Sequence, residues 1–178
     1  MRFFLSLLLL TIVGCGYTTR GFIYAEDTII IKPVINKIDI TSESRKYSDY
    51  TSFPILIENR LTNEIVSKFN IDGNLKVVSE GLNTLKLVCA VNNYSKETLR
   101  YTDTDDVSEL RLRLHVHMKL TSGAGKILKD KNITGETTYY RETTETTYYI
   151  TGANESAAQV DLIDDTARRI CEAVTEEW

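Results

Sequence analysis

The most regular polar pattern of the chain lies in the segment ELRLRLHVHMKL, residues 109–120. Its strict alternation of apolar and polar residues predicts a β-strand whose leucines face a core while the polar side chains share the opposite face. That polar face carries Arg111, Arg113, His115, His117 and Lys119. Neighbouring side chains on one strand face are about 7 Å apart, so the arginines and the lysine form a row of cations that suits phosphate groups, with bidentate contacts from arginine. A solvated strand face with no ligand explains the same alternation.

The two histidines of this strand raise the question of a metal site. His115 and His117 are the only histidines of the chain, and their spacing of two places both rings on one face. Two imidazoles chelate zinc or copper, but a stable site needs a third and usually a fourth ligand. The flanking cations Arg113 and Lys119 repel a metal ion. No metal site is therefore predicted.

Motifs of enzymes are absent from the sequence. The chain has no glycine-rich phosphate loop, no GxSxG elbow and no HExxH pair. The acidic stretch TDTDD, residues 102–106, lacks the glycine and the final glutamate of a calcium loop, and a turn between strands explains it. The net charge of -4 does not suit a general nucleic-acid binder. We therefore predict no catalytic residue, no cofactor and no nucleic-acid partner.

Cys15 is the residue with the most specific chemistry. It follows Arg2 and an apolar run, Phe3 to Val13, which is too short for a membrane span of about 20 residues and has the layout of a signal peptide. The tetrapeptide Ile12-Val13-Gly14-Cys15 resembles the bacterial lipobox, in which the cysteine becomes the lipid-bearing first residue. The alternative is a buried or disulfide-bonded cysteine in an ordinary secreted protein. We expect cleavage of residues 1–14 and a stable lipid anchor at Cys15.

The residue after Cys15 indicates which membrane holds the lipoprotein. Gly16 stands where enterobacterial lipoproteins retained in the inner membrane carry aspartate, and this similarity favours the outer membrane. The two other cysteines, Cys89 and Cys171, are either small buried hydrophobes or the ends of a single disulfide.

The first half of the remaining chain predicts a strand, a helix and a second strand. Residues 28–34 form a β-branched run, with Pro33 placing it at a sheet edge or at a strand end. Residues 36–52 read as a loop. A helix follows, with Ser52 as cap, Pro54 in the first turn, and one apolar face that consists of Ile57, Leu61, Ile65 and Phe69. Asp72-Gly73-Asn74 ends it, and residues 75–79 form a short strand that completes a βαβ unit.

The second half predicts three longer strands and a final helix. Leu85, Leu87, Cys89 and Val91 share one face of a strand whose pattern breaks at Asn92 and Asn93. The alternating strand comes next, and a loop with Gly123 and Gly125 closes a hairpin onto Ile127. Residues 133–150 contain ETTYY twice and favour an extended hairpin or edge ribbon. The final helix is expected from about Glu155 to Glu177, capped by Asn154 or Thr151; its predicted apolar stripe is Val160, Ile163, Ala167, Ile170, Val174 and Trp178.

These elements predict an α+β fold. Two amphipathic helices need an apolar surface to cover, so both are expected on one side of a mixed four- to five-stranded sheet. The predicted organisation is a signal peptide over 1–14, a short membrane-proximal tether over 15–27, and a single domain over 28–178.

The opening CGYTTRG, Cys15 to Gly21, together with this order of elements, resembles the lipopolysaccharide-assembly lipoprotein family (LptE). The similarity extends over nearly the whole chain at the level of layout, including the segments IIIKPVINK, IENRLTNEIVSKF and LKLVCAVNNYSKE. The segment Gly135 to Thr151 departs most from the family pattern.

The resemblance implies a role without catalysis. Members of this family sit as a plug inside the outer-membrane β-barrel LptD, assist its assembly and aid lipopolysaccharide transport to the outer leaflet. Family members contact lipopolysaccharide through basic residues of the sheet, and the row of Arg111, Arg113 and Lys119 is the candidate here for contact with lipid A phosphates. Partner contact is expected from four tyrosines, Tyr139, Tyr140, Tyr148 and Tyr149, a residue type enriched in interface cores. An ordinary exposed sheet explains these tyrosines equally well.

A different function remains open for such a chain. Lipid-anchored domains of similar α+β design reach inward and regulate periplasmic cell-wall synthases. Those regulators need a long, proline-rich tether, whereas only about a dozen residues separate Cys15 from the first predicted strand. The short tether favours the barrel plug over the regulator.

Overall fold

A computed structural model of the protein describes residues 24–38, 54–101, 107–140 and 152–176. The predicted signal peptide, Cys15 and the first part of the tether lie outside these ranges, as do residues 102–106 and 141–151. The described residues form six strands and two helices. In chain order these are β1 (Thr28–Ile31), β2 (Ile35–Asn36), α1 (Ile57–Asp72), β3 (Lys76–Val77), β4 (Leu85–Tyr101), β5 (Val107–Thr121), β6 (Ile127–Tyr140) and α2 (Gly152–Thr175).

The strands form one mixed sheet in the order β3-β1-β4-β5-β6. β1 is parallel to both β3 and β4, while β4, β5 and β6 are antiparallel, so the predicted α+β class and the βαβ unit are confirmed. β1 is an interior strand, and Pro33 follows its end. The sheet has six strands, one more than the upper limit expected. The additional strand is β2, which pairs with β4 after Pro33, and the backbone N–H of Lys37 donates to the Val91 carbonyl at 2.9 Å.

Both helices cover the same face of the sheet, as predicted. The alternating leucines of β5 and the set Leu85, Leu87, Cys89 and Val91 of β4 are buried in one core. The four predicted positions of α1, Ile57, Leu61, Ile65 and Phe69, are fully buried against it. The break at Asn92 is an irregularity in the pairing of β4 with β5, after which β4 continues to Tyr101.

The start of α1 was predicted wrongly. The helix begins at Ile57, and the residue before it, Leu56, has a left-handed backbone with φ of 56° and no side-chain cap. A helix cannot extend back through that conformation, so Pro54 is not in its first turn. The cap position belongs to Leu56, and the predicted cap Ser52 lies outside the described residues. The predicted end is confirmed, because Gly73 has φ of 69° and donates to the Phe69 carbonyl.

The final helix starts three residues earlier and ends two residues earlier than expected, at Gly152 and Thr175. Asn154 therefore lies inside its first turn, while Thr151 and Trp178 are outside the described residues. Of the predicted stripe, Val160 is wrong, since it is 52% exposed. Ala158, Leu162 and Thr166 are buried instead, because α2 packs against β6, β5 and α1 at once and needs a wider apolar face.

α2 approaches β6 most closely at Gly135. A Cβ atom at that position would lie 1.9 Å from the Thr166 hydroxyl oxygen and 2.9 Å from the Thr166 Cα. Beside this contact, the Asp165 carboxylate accepts a hydrogen bond of 3.0 Å from the backbone N–H of Glu136. The glycine thus lets helix and strand backbones meet, and the carboxylate satisfies an N–H of the edge strand.

The last residues of the predicted tether are bound to the domain. The Tyr24 hydroxyl donates to the Val174 carbonyl at 2.8 Å, and Glu26 accepts from the Gly123 N–H at 3.1 Å. Lys129 donates to three carbonyl groups at the end of α2, those of Ala173, Val174 and Glu176. A cation here satisfies the free carbonyls of the helix end and complements its dipole.

We predict that Gly135→Ala destabilises the protein by about 2 to 3 kcal/mol, because the added methyl group forces α2 away from β6. The free energy of unfolding in urea measures this. Thr138→Ala, on an exposed position of the same strand, is the matched control and should cost less than about 0.5 kcal/mol. Equal stability of the two variants would contradict the close contact.

We predict that Asp165 makes stability depend on pH in the acid range. Burial alone raises the pKa of this carboxyl, but the N–H of Glu136 and the guanidinium of Arg169 outweigh burial and hold the pKa below its ordinary value. The ionised carboxylate therefore stabilises the fold above pH of about 4, and this contribution disappears as the pH falls through the lowered pKa.

The corresponding variant is Asp165→Asn. Its free energy of unfolding should be about 1 to 2 kcal/mol lower than that of the parent protein at pH 7. This difference should shrink when the pH falls below about 4. Urea unfolding at several pH values measures both effects. Asp161→Asn, exposed on the same helix, is the control, and a pH-independent difference for Asp165→Asn would contradict the assignment.

Candidate functional site

The candidate site is the face of the sheet opposite the helices, which we call the open face. It is formed by every second residue of β5, and it carries the five polar side chains predicted from the alternation. Each of them is half-buried between β4 and β6. The register places Glu97, Ser95 and Asn93 of β4 beside them on one side and Glu136, Thr138 and Asp130 of β6 on the other.

Arg113 lies at the centre of this face between two carboxylates. Its Nη1 is 2.9 Å from Glu97 Oε2 and its Nε is 3.5 Å from Glu136 Oε2. The side chains of Glu97 and Glu136 are about half exposed, so each pair contributes at most about 1 kcal/mol to stability. Their main effect is local neutralisation of the arginine, which any anionic ligand would have to overcome.

Arg111 and Lys119 have a different environment. Neither forms an ion pair with a described residue, although Glu97 lies opposite Arg111 and Asp130 opposite Lys119 in the strand register. Glu97 turns to Arg113, and Asp130 turns to His117. The predicted row of cations is therefore interleaved with carboxylates, and its two ends keep more capacity for an anion than its middle.

The histidines take local partners across the strands. His117 Nε2 is 2.6 Å from Asp130 Oδ1, and His115 Nδ1 is 2.9 Å from the Thr134 hydroxyl oxygen. Among the residues that the structure describes, no group of three or more His, Cys, Asp or Glu side chains is placed to hold a metal ion. The open face therefore offers charge and hydrogen-bonding groups.

The predicted tyrosines separate into different environments. Tyr140 is 63% exposed at the end of β6, whereas Tyr139 points into the core with 9% exposure. The ammonium of Lys96 lies 5.6 Å from the centre of the Tyr139 ring and 2.9 Å from Glu155 of α2. Burial raises the pKa of Tyr139, which keeps its hydroxyl protonated. Tyr148 and Tyr149 lie outside the described residues.

This fastening of α2 to the sheet was not foreseen from the sequence. Lys96 and Glu155 are 59 positions apart. The fully buried Tyr94, two residues before Lys96, follows the irregularity in β4. The inward position of Tyr94 requires the strand register to shift after Val91, and sequence alternation alone does not reveal such a shift.

Cys89 and Cys171 are both free and buried, so the disulfide alternative is wrong and the buried-hydrophobe alternative holds. Burial raises the pKa of each thiol to about 12. Both thiols therefore stay protonated at neutral pH and are poor nucleophiles. Cys15 is outside the described residues, and no helix of the described ranges is long and apolar enough to cross a membrane.

Solved structures share this fold. The chain is similar to rare lipoprotein B from Shewanella oneidensis, with a TM-score of 0.53 and 14% identity over 82% of this chain and 92% of the other. It is also similar to a minor lipoprotein from Acinetobacter baumannii, with a TM-score of 0.51 and 15% identity over 85% and 94% of the two chains. At these identities the likeness concerns the fold alone.

The sequence itself matches one family model. None of the curated proteins matches the chain. The model described as LptE, lipopolysaccharide-assembly, matches residues 37–174, which is most of the chain and covers both helices, β3, β4, β5 and β6. The two helices on one side of a mixed sheet agree with the fold of the lipoproteins above. The chain therefore belongs to the lipopolysaccharide-assembly (LptE) family.

Proposed function

We propose that this protein is an outer-membrane lipoprotein, anchored through Cys15, that acts as plug and assembly factor of an LptD-type β-barrel. In that role it aids the passage of lipopolysaccharide to the outer leaflet. The observation that carries the proposal is the family match over residues 37–174. The predicted lipobox supports the anchor, and we propose cleavage before Cys15 and a single domain from residue 28 onward.

The open face supports a plug that touches a barrel wall. Large membrane barrels have a polar interior, so a protein inside one needs a polar surface with hydrogen-bonding capacity. The open face supplies it through charged pairs such as Arg113 with Glu97, and through threonine and asparagine side chains of β4 and β6. Tyr140, exposed as the last residue of β6, adds a residue type enriched at interfaces.

Several charged side chains on the opposite side of the molecule pair with one another. On α2, Arg168 pairs with Asp165 and Glu172 at 2.5 Å each, and on α1, Lys68 pairs with Asp164 of α2. On the open face, by contrast, Arg111 and Lys119 form no ion pair with a described residue and remain available to a polar partner. We therefore assign partner contact to the open face.

Lipopolysaccharide contact is proposed for Arg111, Arg113 and Lys119. Arg111 and Lys119 make no ion pair among the described residues and would meet phosphates directly. Arg113 would have to exchange Glu97 and Glu136 for a phosphate oxygen, which costs part of the binding energy. The carboxylates on either side thus limit affinity, which suits a surface that passes lipid onward.

We predict that the full-length chain purifies from native outer membranes together with a large β-barrel in equal amount. Purification in mild detergent and protein mass spectrometry measure this, and the mass of the amino-terminal peptide reports the lipid on Cys15. Tyr140→Ala should reduce recovery of the barrel, while Val160→Ala, a half-exposed apolar position on α2, should leave it unchanged. Recovery of a cell-wall synthase, or of no barrel, would contradict the plug.

We also predict opposite effects of two double substitutions on lipopolysaccharide binding. Arg111→Ala with Lys119→Ala should weaken binding about tenfold, because two unneutralised cations are lost. Glu97→Gln with Glu136→Gln should strengthen binding about fivefold, because Arg113 is released from both carboxylates. Titration of the purified protein with fluorescent lipopolysaccharide at fixed salt measures both.

The control for this experiment also removes two negative charges, but on the helix side of the domain. Glu58→Gln with Asp161→Asn changes net charge equally but leaves the open face intact. Equal strengthening by both pairs would assign the effect to net charge alone. Unchanged affinity in both open-face variants would place lipopolysaccharide elsewhere.

A further inference from the structure

At one end of the domain, which we call the proximal end, the first described residues lie together with the loops of residues 78–84 and 122–126. β1 and β4 are parallel and both begin there, while β5 ends and β6 begins there. The loop of residues 78–84 and the turn of residues 122–126 lie side by side at this end. A Cβ on Gly123 would lie 2.5 Å from the Asn83 Cα, so only glycine allows the two to touch.

Leu82 stands out from this end with 96% of its surface exposed. Its position is fixed by its neighbours. Asn83 has a left-handed backbone with φ of 54°, and the Thr84 hydroxyl donates to the Leu82 carbonyl at 3.3 Å while accepting from Thr28 at 3.2 Å. A large apolar side chain is thus held away from the domain by a constrained loop.

Single exposed apolar residues are common on protein surfaces. Leu82 differs from such a residue because it borders an open cavity of about 620 Å³ and has apolar neighbours at the same end. The cavity includes Ala25, Val78 and Ala124 in its lining. Ile127, at the start of β6, is also half exposed. These apolar groups surround the point at which the chain joins the sheet, while Ile55, Leu56, Tyr101 and Tyr140 are exposed at the opposite end.

The length of the tether brings this end close to the membrane. Tyr24 and Glu26 are already bonded to the domain, so only residues 16–23 connect it to Cys15. Eight residues span at most about 30 Å when fully extended. A lipid on Cys15 consequently keeps the proximal end within about that distance of the bilayer, and no other part of the domain is held as closely.

The charges of the proximal end permit such contact. Three carboxylates line the cavity, Glu26, Asp27 and Glu80, and Glu26 is already engaged by the Gly123 N–H. Three exposed lysines, Lys76, Lys86 and Lys126, lie at the same strand ends. The lysines have direct access to lipid phosphates and offset the repulsion between those phosphates and the carboxylates.

We propose that, before the protein joins its barrel, the proximal end lies on the phospholipid surface of the membrane that holds the anchor, with Leu82 inserted among the lipids. This inference rests on the proposed lipidation of Cys15. Insertion of one constrained side chain adds apolar area to the hold of the acyl chains and fixes the orientation of the domain. The open face of the sheet then stands roughly upright on the membrane and is accessible from the side.

The experiment uses the full-length lipidated protein in phospholipid vesicles. Trp178 is the single tryptophan, so Trp178→Phe gives a background without indole fluorescence. Leu82→Trp then reports the loop, and Val160→Trp reports the exposed outer side of α2 as a matched control. Lipids that carry a spin label near the headgroup or deep in the tail quench a nearby indole. Interfacial side chains lie about 5 to 10 Å deep, so the shallow label should quench Leu82→Trp most strongly.

The expected result is at least about twofold stronger quenching of Leu82→Trp than of Val160→Trp, in protein whose lipid is confirmed by mass. Equal, weak quenching at both positions in lipidated, vesicle-bound protein would overturn the inference and leave the proposed function standing. Weak quenching of Leu82→Trp without the barrel, together with a shift of its emission to shorter wavelength when the barrel is added, would overturn the inference in favour of a protein contact. An unmodified Cys15 would overturn both the inference and the proposed anchor, which the mass measurement distinguishes.

Discussion

The close contact between α2 and β6 is the constraint on which the rest of the structure depends. Because Gly135 has no side chain, the helix lies against the edge strand at the position of Thr166, and Asp165 satisfies a backbone N–H that would otherwise be open. With α2 fixed there, α1 covers the other half of the apolar face. Neither of the two described helices covers the second face of the sheet, and that face carries the charged row.

Much of the architecture could be predicted because it depends on local periodicity. The alternation in β5 and the spacing of Ile57, Leu61, Ile65 and Phe69 identify a half-buried strand and an amphipathic helix wherever they occur. The start of α1 could not be predicted, since Leu56 breaks the helix through a backbone conformation that its residue type does not favour. Val160 was misplaced because the width of a buried helix face depends on how many neighbours it has.

The candidate site could be predicted only in part. The row of cations follows from one strand, but its neutralisation depends on strands that pair with it from 16 to 23 positions away. Without the register, Glu97 and Glu136 are two of 25 acidic residues with no assigned neighbour. The same reason explains Lys96 with Glu155, and Tyr139, whose inward direction follows from its place opposite Leu110. Pairing between distant segments is the information that a single sequence lacks.

The bonds of Tyr24 and Glu26 have a mechanical consequence. Tension applied through the amino-terminal segment reaches the domain first at the end of α2, through the Tyr24 hydroxyl, and at the β5–β6 turn, through Glu26. Lys129 joins those two places, since it belongs to β6 and holds the last carbonyls of α2. A pull is thus divided between a helix and a hairpin that are already fastened to each other. Under such a pull the domain would move as one rigid body, without β1 peeling from the sheet.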